Sequence, residues 1–166
     1  MSKIINLTKG YQTIVDDEDY ELLSQYKWYA LVTKWGVYAV HDSRKRKGGG
    51  EIYLMHRKIT NCPKEKVVDH INHDTLDNTQ MNLRICTQSQ NLANTRGKEY
   101  NYKNPTSKHK GVFFSKSHNK FRTRIMINGK MNELGLYATE EEAAAIYNNA
   151  AKNLLGEFAY VGRVAS

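Results

Sequence analysis

The sequence predicts an α+β protein made of two small units rather than one large core. Three observations carry that prediction. Runs rich in aromatic and β-branched residues alternate with turn residues over 1–58 and again over 108–137, the pattern of short strands. Capping signatures, Thr87 with Gln90 and Thr139 with Glu142, open a helix in each half. Between the halves, residues 96–107 are polar and basic, contain Pro105 and have almost no aliphatic side chain, as an interdomain linker does. The expected division of the 166 residues is therefore 1–95, a linker at 96–107, and 108–166.

In order along the chain, residues 4–7 and 12–15 read as strands joined near Gly10. Asp16-Asp17-Glu18-Asp19 then starts a short helix through Gln25, its acids matching the positive end of the helix dipole. Strands are expected at 27–33, 36–41 and 51–58. The basic, glycine-rich stretch 43–50 between the last two reads as a hairpin loop, with phosphate contact as its functional alternative. Residues 66–70 form a short strand ending in Asp69-His70, and 82–86 form a second one. The polar excursion between them runs through Asn72, Asp74, Asp77 and Asn78, and the helix that follows carries Asn91 and Asn94. In the second half, strands are expected at 110–115, 120–127 and 130–137, the last two joined by Asn128-Gly129, a strong hairpin signal. The closing helix puts Ala143, Tyr147, Ala150 and Leu154 on one stripe and ends at Gly156.

The net charge is +8, from 25 Lys and Arg against 17 Asp and Glu. Its distribution matters more than its size. Residues 96–130 hold ten basic residues and one acid, Glu99, so the rest of the chain sums to −1. Solubility needs no such localisation, whereas a polyanion rewards it through counterion release. A run of about 18 apolar residues is lacking, which excludes a transmembrane helix. The first residues have no apolar signal-peptide region, so a cytoplasmic location is expected. Cys62 and Cys86 are far apart and in no C-x-x-C pair, which excludes a disulfide framework and a multi-cysteine zinc site.

Four residues of the first half carry chemistry together. Asp69 offers a carboxylate at a strand end, and Asn91 offers an amide oxygen from the following helix. A hard divalent cation held by one or two such groups keeps positions open for water and phosphate. His70 points away from Asp69 if the strand continues, so it can take a proton from water without occupying the metal. Asn82, at the start of the returning strand, can hold the loop and fix the tautomer of His70. The run Asp69-His70-Ile71-Asn72, Leu76-Asp77-Asn78, Asn82-Leu83-Arg84, Thr87, Asn91 and Asn94 resembles the HNH nuclease motif, in the form found in phage and intron-encoded homing endonucleases. The resemblance implies a ββα-metal fold and single-metal DNA strand cleavage. It implies Asp69 and Asn91 as metal ligands, His70 as general base and Asn82 as the residue that orients it. Asn91 stands where many relatives have His, the HNN variant, and its oxygen favours one Mg²⁺ or Mn²⁺ per site over Zn²⁺. Leu54-Met55-His56-Arg57 resembles the short strand before the motif, which makes His56 and Arg57 candidates for phosphate contact.

The stretches Lys110-Gly111-Val112, Lys120-Phe121, Leu134-Gly135, Thr139-Glu140-Glu141-Glu142-Ala143-Ala144 and Tyr147 with Ala150-Ala151 resemble an AP2-type DNA-binding domain. That family lays a three-stranded sheet in the major groove with a helix behind it. Period two along 121–127 puts Arg122 and Arg124 on the face away from the helix. Lys110, Arg122 and Arg124 are the expected DNA contacts, with Ser115 and Lys120 beside them. The whole reads as a site-selective homing endonuclease that nicks double-stranded DNA as a monomer, in the cytoplasm of a phage-infected or bacterial host cell, with no membrane partner. The alternatives are a DNA-binding regulator with an inactive nuclease unit and a nonspecific defence or toxin nuclease.

Overall fold

Strand β1 (Ser2–Asn6) pairs antiparallel with β2 (Gln12–Asp16), Ser2 opposite Asp16 and Asn6 opposite Gln12. The turn between them uses positive φ at Lys9 and Gly10. Helix α1 (Asp17–Ser24) follows at once with Asp17, Glu18 and Asp19 in its first turn, as its acids predict. This is a computed structural model, and it describes residues 1–43, 50–95 and 106–160. Most of the basic 43–50 loop (44–49) and of the expected linker (96–105) therefore lies outside the described residues. The chain divides into two compact units, Met1–Thr87 and Gln88–Ser166.

In the first unit, β3 (Tyr29–Thr33), β4 (Gly36–Asp42) and β5 (Ile52–Leu54) make an antiparallel sheet in chain order. The expected strand 51–58 is corrected: after Leu54 the chain turns into helix α2 (Met55–Ile59). The reason is tertiary, because a helical turn puts Met55 and Ile59, four apart, against one core. That core gathers Ile5, Leu7, Val15, Leu23, Trp28, Ala30, Ala39 and Met55. Trp28 satisfies its indole N–H on the Leu23 carbonyl at 2.8 Å, so the ring can be buried whole. Strands β6 (Val67–His70) and β7 (Leu83–Cys86) form a separate antiparallel pair.

The loop between β6 and β7 is fastened from two sides. Ile14 of β2 donates its N–H to the Leu76 carbonyl at 2.9 Å and accepts from Asn78 N–H at 2.8 Å. On the other side, Thr75 Oγ1 donates to the Val37 carbonyl at 2.6 Å. Gly36 is required there, since a Cβ would stand 2.7 Å from Thr75 Oγ1 and its φ is +150°.

The second unit opens with helix α3 (Gln88–Asn94) and continues with β8 (Val112–Ser115), β9 (Lys120–Ile127) and β10 (Lys130–Tyr137), an antiparallel sheet with β9 central. The β9–β10 turn has positive φ at both Asn128 and Gly129, as that pair predicts. Helix α4 (Glu140–Leu155) starts on a complete capping box between Thr139 and Glu142. Its buried stripe is Ala143, Ala144, Tyr147 and Ala151, packed on Val112 and Ile125. Leu154 departs from the expected stripe and is exposed, Leu155 taking the packed position. Tyr147 lies so close over the start of β8 that a Cβ on Gly111 would stand 2.1 Å from its ring. Among the described residues no helix is long and apolar enough to cross a membrane.

Candidate functional site

The β6–β7 register sets Asp69 directly opposite Arg84. Arg84 donates Nε–H and Nη2–H to Asp69 Oδ2 at 2.8 and 2.6 Å, and both side chains are nearly buried. A pair desolvated to this degree adds little net stability but fixes where the carboxylate stands. His70, one residue on, lies with its ring against two others. The His56 ring is 5.1 Å away at 88°, and the Tyr38 ring of β4 is 6.4 Å away. Burial, with His70 and Arg57 nearby, pushes His56 down to about 3. Burial also lowers His70, against the opposing pull of its Asn78 hydrogen bond and of Asp69, Asp74 and Asp77. A neutral imidazole at neutral pH is the form that accepts a proton.

The loop behind these residues is held by its own amides and carboxylates. Asn82 Oδ1 accepts from Asn72 N–H at 2.9 Å, and its Nδ2 donates to the Asp77 carbonyl at 2.7 Å. Asn72 Nδ2 donates to Asp77 Oδ2 at 2.8 Å, and Asp77 Oδ1 accepts from Thr79 Oγ1 at 2.8 Å. Asn82 thus ties the loop, and the ring of His70 meets the amide of Asn78. Asn78 Oδ1 stands 3.4 Å from His70 Nε2. Asn82 itself closes the 3₁₀ turn Gln80–Asn82 ahead of β7.

Several expected contacts have other employment. His56 is buried in the ring cluster on α2, and not on a strand. Arg57 donates Nη1–H to the Lys66 carbonyl at 2.8 Å, and Nη2–H to those of Cys62 and Pro63 at 3.1 and 2.7 Å. Its guanidinium closes the turn between α2 and β6. Lys110, expected on DNA, donates Nζ–H to the carbonyls of Leu92, Ala93 and Thr95 at 3.1, 2.7 and 3.0 Å. It caps the end of α3, and burial pushes its pKa down to about 8.

Arg122 and Arg124 do share the β9 face away from α4, while Thr123 and Ile125 are buried beneath it. Both donate Nε–H to Glu133, at 2.7 Å each, and Arg124 lies 5.2 Å over the Phe113 ring. A register shift in β10 between Glu133 and Gly135 accompanies this grip. Ser115 Oγ lies 3.0 Å from His118 Nδ1. Lys120, opposite Ser115 in the register, is exposed. Asn91 lies half-buried on α3 in the second unit.

The HNH endonuclease pattern matches residues 55–93, from α2 through α3. An uncharacterised HNH endonuclease of Acanthamoeba polyphaga mimivirus is 35% identical over 158 residues, covering 94% of this chain and 77% of that protein. The chain belongs to the HNH endonuclease family. No solved structure matches it significantly. Membership supports a nuclease acting on DNA, and the matched segment contains Asp69, His70, Asn82 and Asn91. HNH endonucleases generally depend on a divalent metal. Asp69 and Asn91 are oxygen donors, whereas burial, with Asp69 adding to it, pushes the nearby Cys86 thiol up to about 11 and keeps it protonated. Among the described residues no group of three or more His, Cys, Asp or Glu side chains is gathered for a metal. Sequence reasoning missed Thr13, Tyr38 and Arg84 around His70 and Asp69. The Asp69–Arg84 pairing was open to inference from the two-strand register, but Thr13 is 65 positions from its partner Asn78 and left no local signal.

Proposed function

We propose that this chain is a site-selective, homing-type endonuclease that nicks one strand of double-stranded DNA, acting as a monomer. The observation that carries the reading is the pair Asp69-His70 on one short strand. One is a buried carboxylate fixed by Arg84, the other a neutral imidazole wedged between His56 and Tyr38. Asp69 with Asn91 would hold one Mg²⁺ or Mn²⁺, which when bound supplies Lewis-acid polarisation of a phosphoryl oxygen. His70 takes the proton from a water in line with the scissile bond, leaving 5′-phosphate and 3′-hydroxyl ends. Asn82 keeps the loop after His70 closed so that the imidazole does not swing.

Targeting falls to the β8–β10 sheet, read as an AP2-like DNA-binding face. Arg122 and Arg124 are its base or phosphate contacts, with Lys120 and Ser115 at the edge. Lys110 leaves this set because its ammonium is committed to α3. The test is incubation of supercoiled plasmid carrying a candidate site with the protein, with Mg²⁺ or with EDTA, beside His70→Ala. Open circles should form only with the intact chain and metal. Equal nicking by His70→Ala, or nicking in EDTA, overturns the assignment.

A further inference from the structure

The β3–β4 hairpin ends in a two-residue tip, Lys34-Trp35, between the paired Thr33 and Gly36. Trp35 is 64% exposed, whereas Trp28, the other tryptophan of the chain, is 3% exposed in the core. An indole brings roughly 150–250 Å² of surface to a contact, and it stacks on any planar ring. Beside it, Lys34 Nζ stands 4.7 Å from the centre of the Trp35 ring. Among the described residues Lys34 forms no ion pair with a carboxylate. An exposed ring with such a cation beside it presents together the two groups that hold a nucleotide, a stacking plane and a phosphate partner.

The tip is held in place from within and from outside. Thr33 Oγ1 donates to the Gly36 carbonyl at 2.9 Å and accepts from the Trp35 N–H at 3.1 Å. One residue on, the Val37 carbonyl accepts from Thr75 Oγ1 at 2.6 Å, which ties the end of the hairpin to the loop that follows His70. The same strand carries Tyr38, whose ring meets those of His56 and His70 edge-on at 5.8 and 6.4 Å. From Tyr38 back to Trp35 is three residues, roughly 10 Å of strand at about 3.3 Å each. A duplex rises about 3.4 Å per base pair, so the tip stands roughly three base pairs along from the Tyr38 ring.

We propose that the hairpin tip is a contact for duplex DNA beside the cut: Trp35 stacks on a base roughly three base pairs from the scissile phosphate, and Lys34 pairs with a flanking phosphate. Inserting the indole partly unstacks one base step, and stacking on the ring offsets that cost. The placing beside the cut rests on the reading of the chain as an endonuclease with His70 at the scissile bond. It gives the first unit its own part in deciding where the cut falls, since the tip is fastened to the loop after His70.

The test uses the full chain and a short duplex carrying the candidate site, in EDTA so that the duplex stays intact. Acrylamide quenching of tryptophan emission reports the contact directly, because Trp28 is already buried and Trp35 is the accessible ring. The free chain should show one quenchable tryptophan, absent in Trp35→Phe, and the duplex should shield it. By anisotropy, Trp35→Ala should bind the duplex roughly tenfold more weakly with its salt slope unaltered, whereas Lys34→Gln should lower that slope by about 0.9. Trp35 is exposed, so its variants keep the core, and urea unfolding verifies it. With 2-aminopurine walked along the duplex, emission should rise about three base pairs from the mapped nick and fall back in Trp35→Ala. A ring still open to acrylamide in the complex, or wild-type affinity of Trp35→Ala, overturns the proposal. So does a ring shielded in the free chain with rising protein concentration, which gives the tip to a second copy. Unshielded Trp35 beside normal nicking sinks the contact and leaves the nuclease standing. Shielding and weakened Trp35→Ala binding without any nicking in Mg²⁺ support the contact and sink the nuclease reading instead.

Discussion

Lys110→Met separates a structural cation from a DNA-binding one. Met keeps the length and apolar stem of Lys110 but removes the donor whose three hydrogens meet the carbonyls of Leu92, Ala93 and Thr95. Leu92 and Thr95 are exposed, so their carbonyls can turn to water and their loss is small. Ala93 is buried, and its oxygen keeps the Tyr160 N–H at 3.1 Å. About one charge-assisted hydrogen bond is therefore truly lost, with a share of the favourable charge at a helix C-terminus, in total about 2 kcal/mol. For a chain of this length that corresponds to a fall in Tm of about 4–8 °C. Urea unfolding measures the first quantity. Anisotropy of a labelled duplex across a KCl series measures the second, the slope of log K against log salt. A phosphate contact contributes about 0.9 to that slope, and Lys110→Met should leave it unaltered. Unchanged stability together with a slope reduced by about 0.9 would refute the structural role.

Three further outcomes are expected. Arg57→Met should lower unfolding free energy by about 2–3 kcal/mol in urea, since three carbonyls lose their donor, and leave the DNA salt slope untouched; a changed slope at full stability counts against it. Glu133→Gln should release Arg122 and Arg124 and tighten duplex binding roughly 3- to 10-fold at low salt, whereas Arg122→Gln with Arg124→Gln should flatten the slope by about 1.8; weaker binding by Glu133→Gln would contradict the face. His56 titrates near about 3 when folded and about 6.5 when unfolded, so the unfolded chain binds the extra proton between these values. Its contribution is therefore present above about pH 6.5 and fades as pH falls toward 3, by roughly 2–3 kcal/mol at about pH 4.5. Urea unfolding at the two pH values should show that loss in the wild type and a loss smaller by that amount in His56→Gln; equal losses refute the buried neutral histidine.

What the sequence determined by itself was local. The hairpin at Asn128-Gly129, the capping box at Thr139, the acid-led start of α1 and the period-two arginines of β9 each follow from neighbouring residues, and the structure has them. The family, too, was legible, because its motif is a set of side chains at fixed spacing within residues 55–93. What only the tertiary structure decided was which polar groups are already spent. Arg57 and Lys110 look like Arg122 and Lys120 in a charge count, yet the first two face carbonyls brought to them by the fold. Met55 turned a strand into a helix because the core rewarded a spacing of four with Ile59. Asn78 and Asn82 are alike in sequence, and only the approach of Thr13 from β2 separates the amide that addresses His70 from the one that closes its loop. Local structure is set by propensity and spacing. The commitment of a charge or an amide is set by desolvation and by partners from distant parts of the chain, and those exist only once the chain has folded.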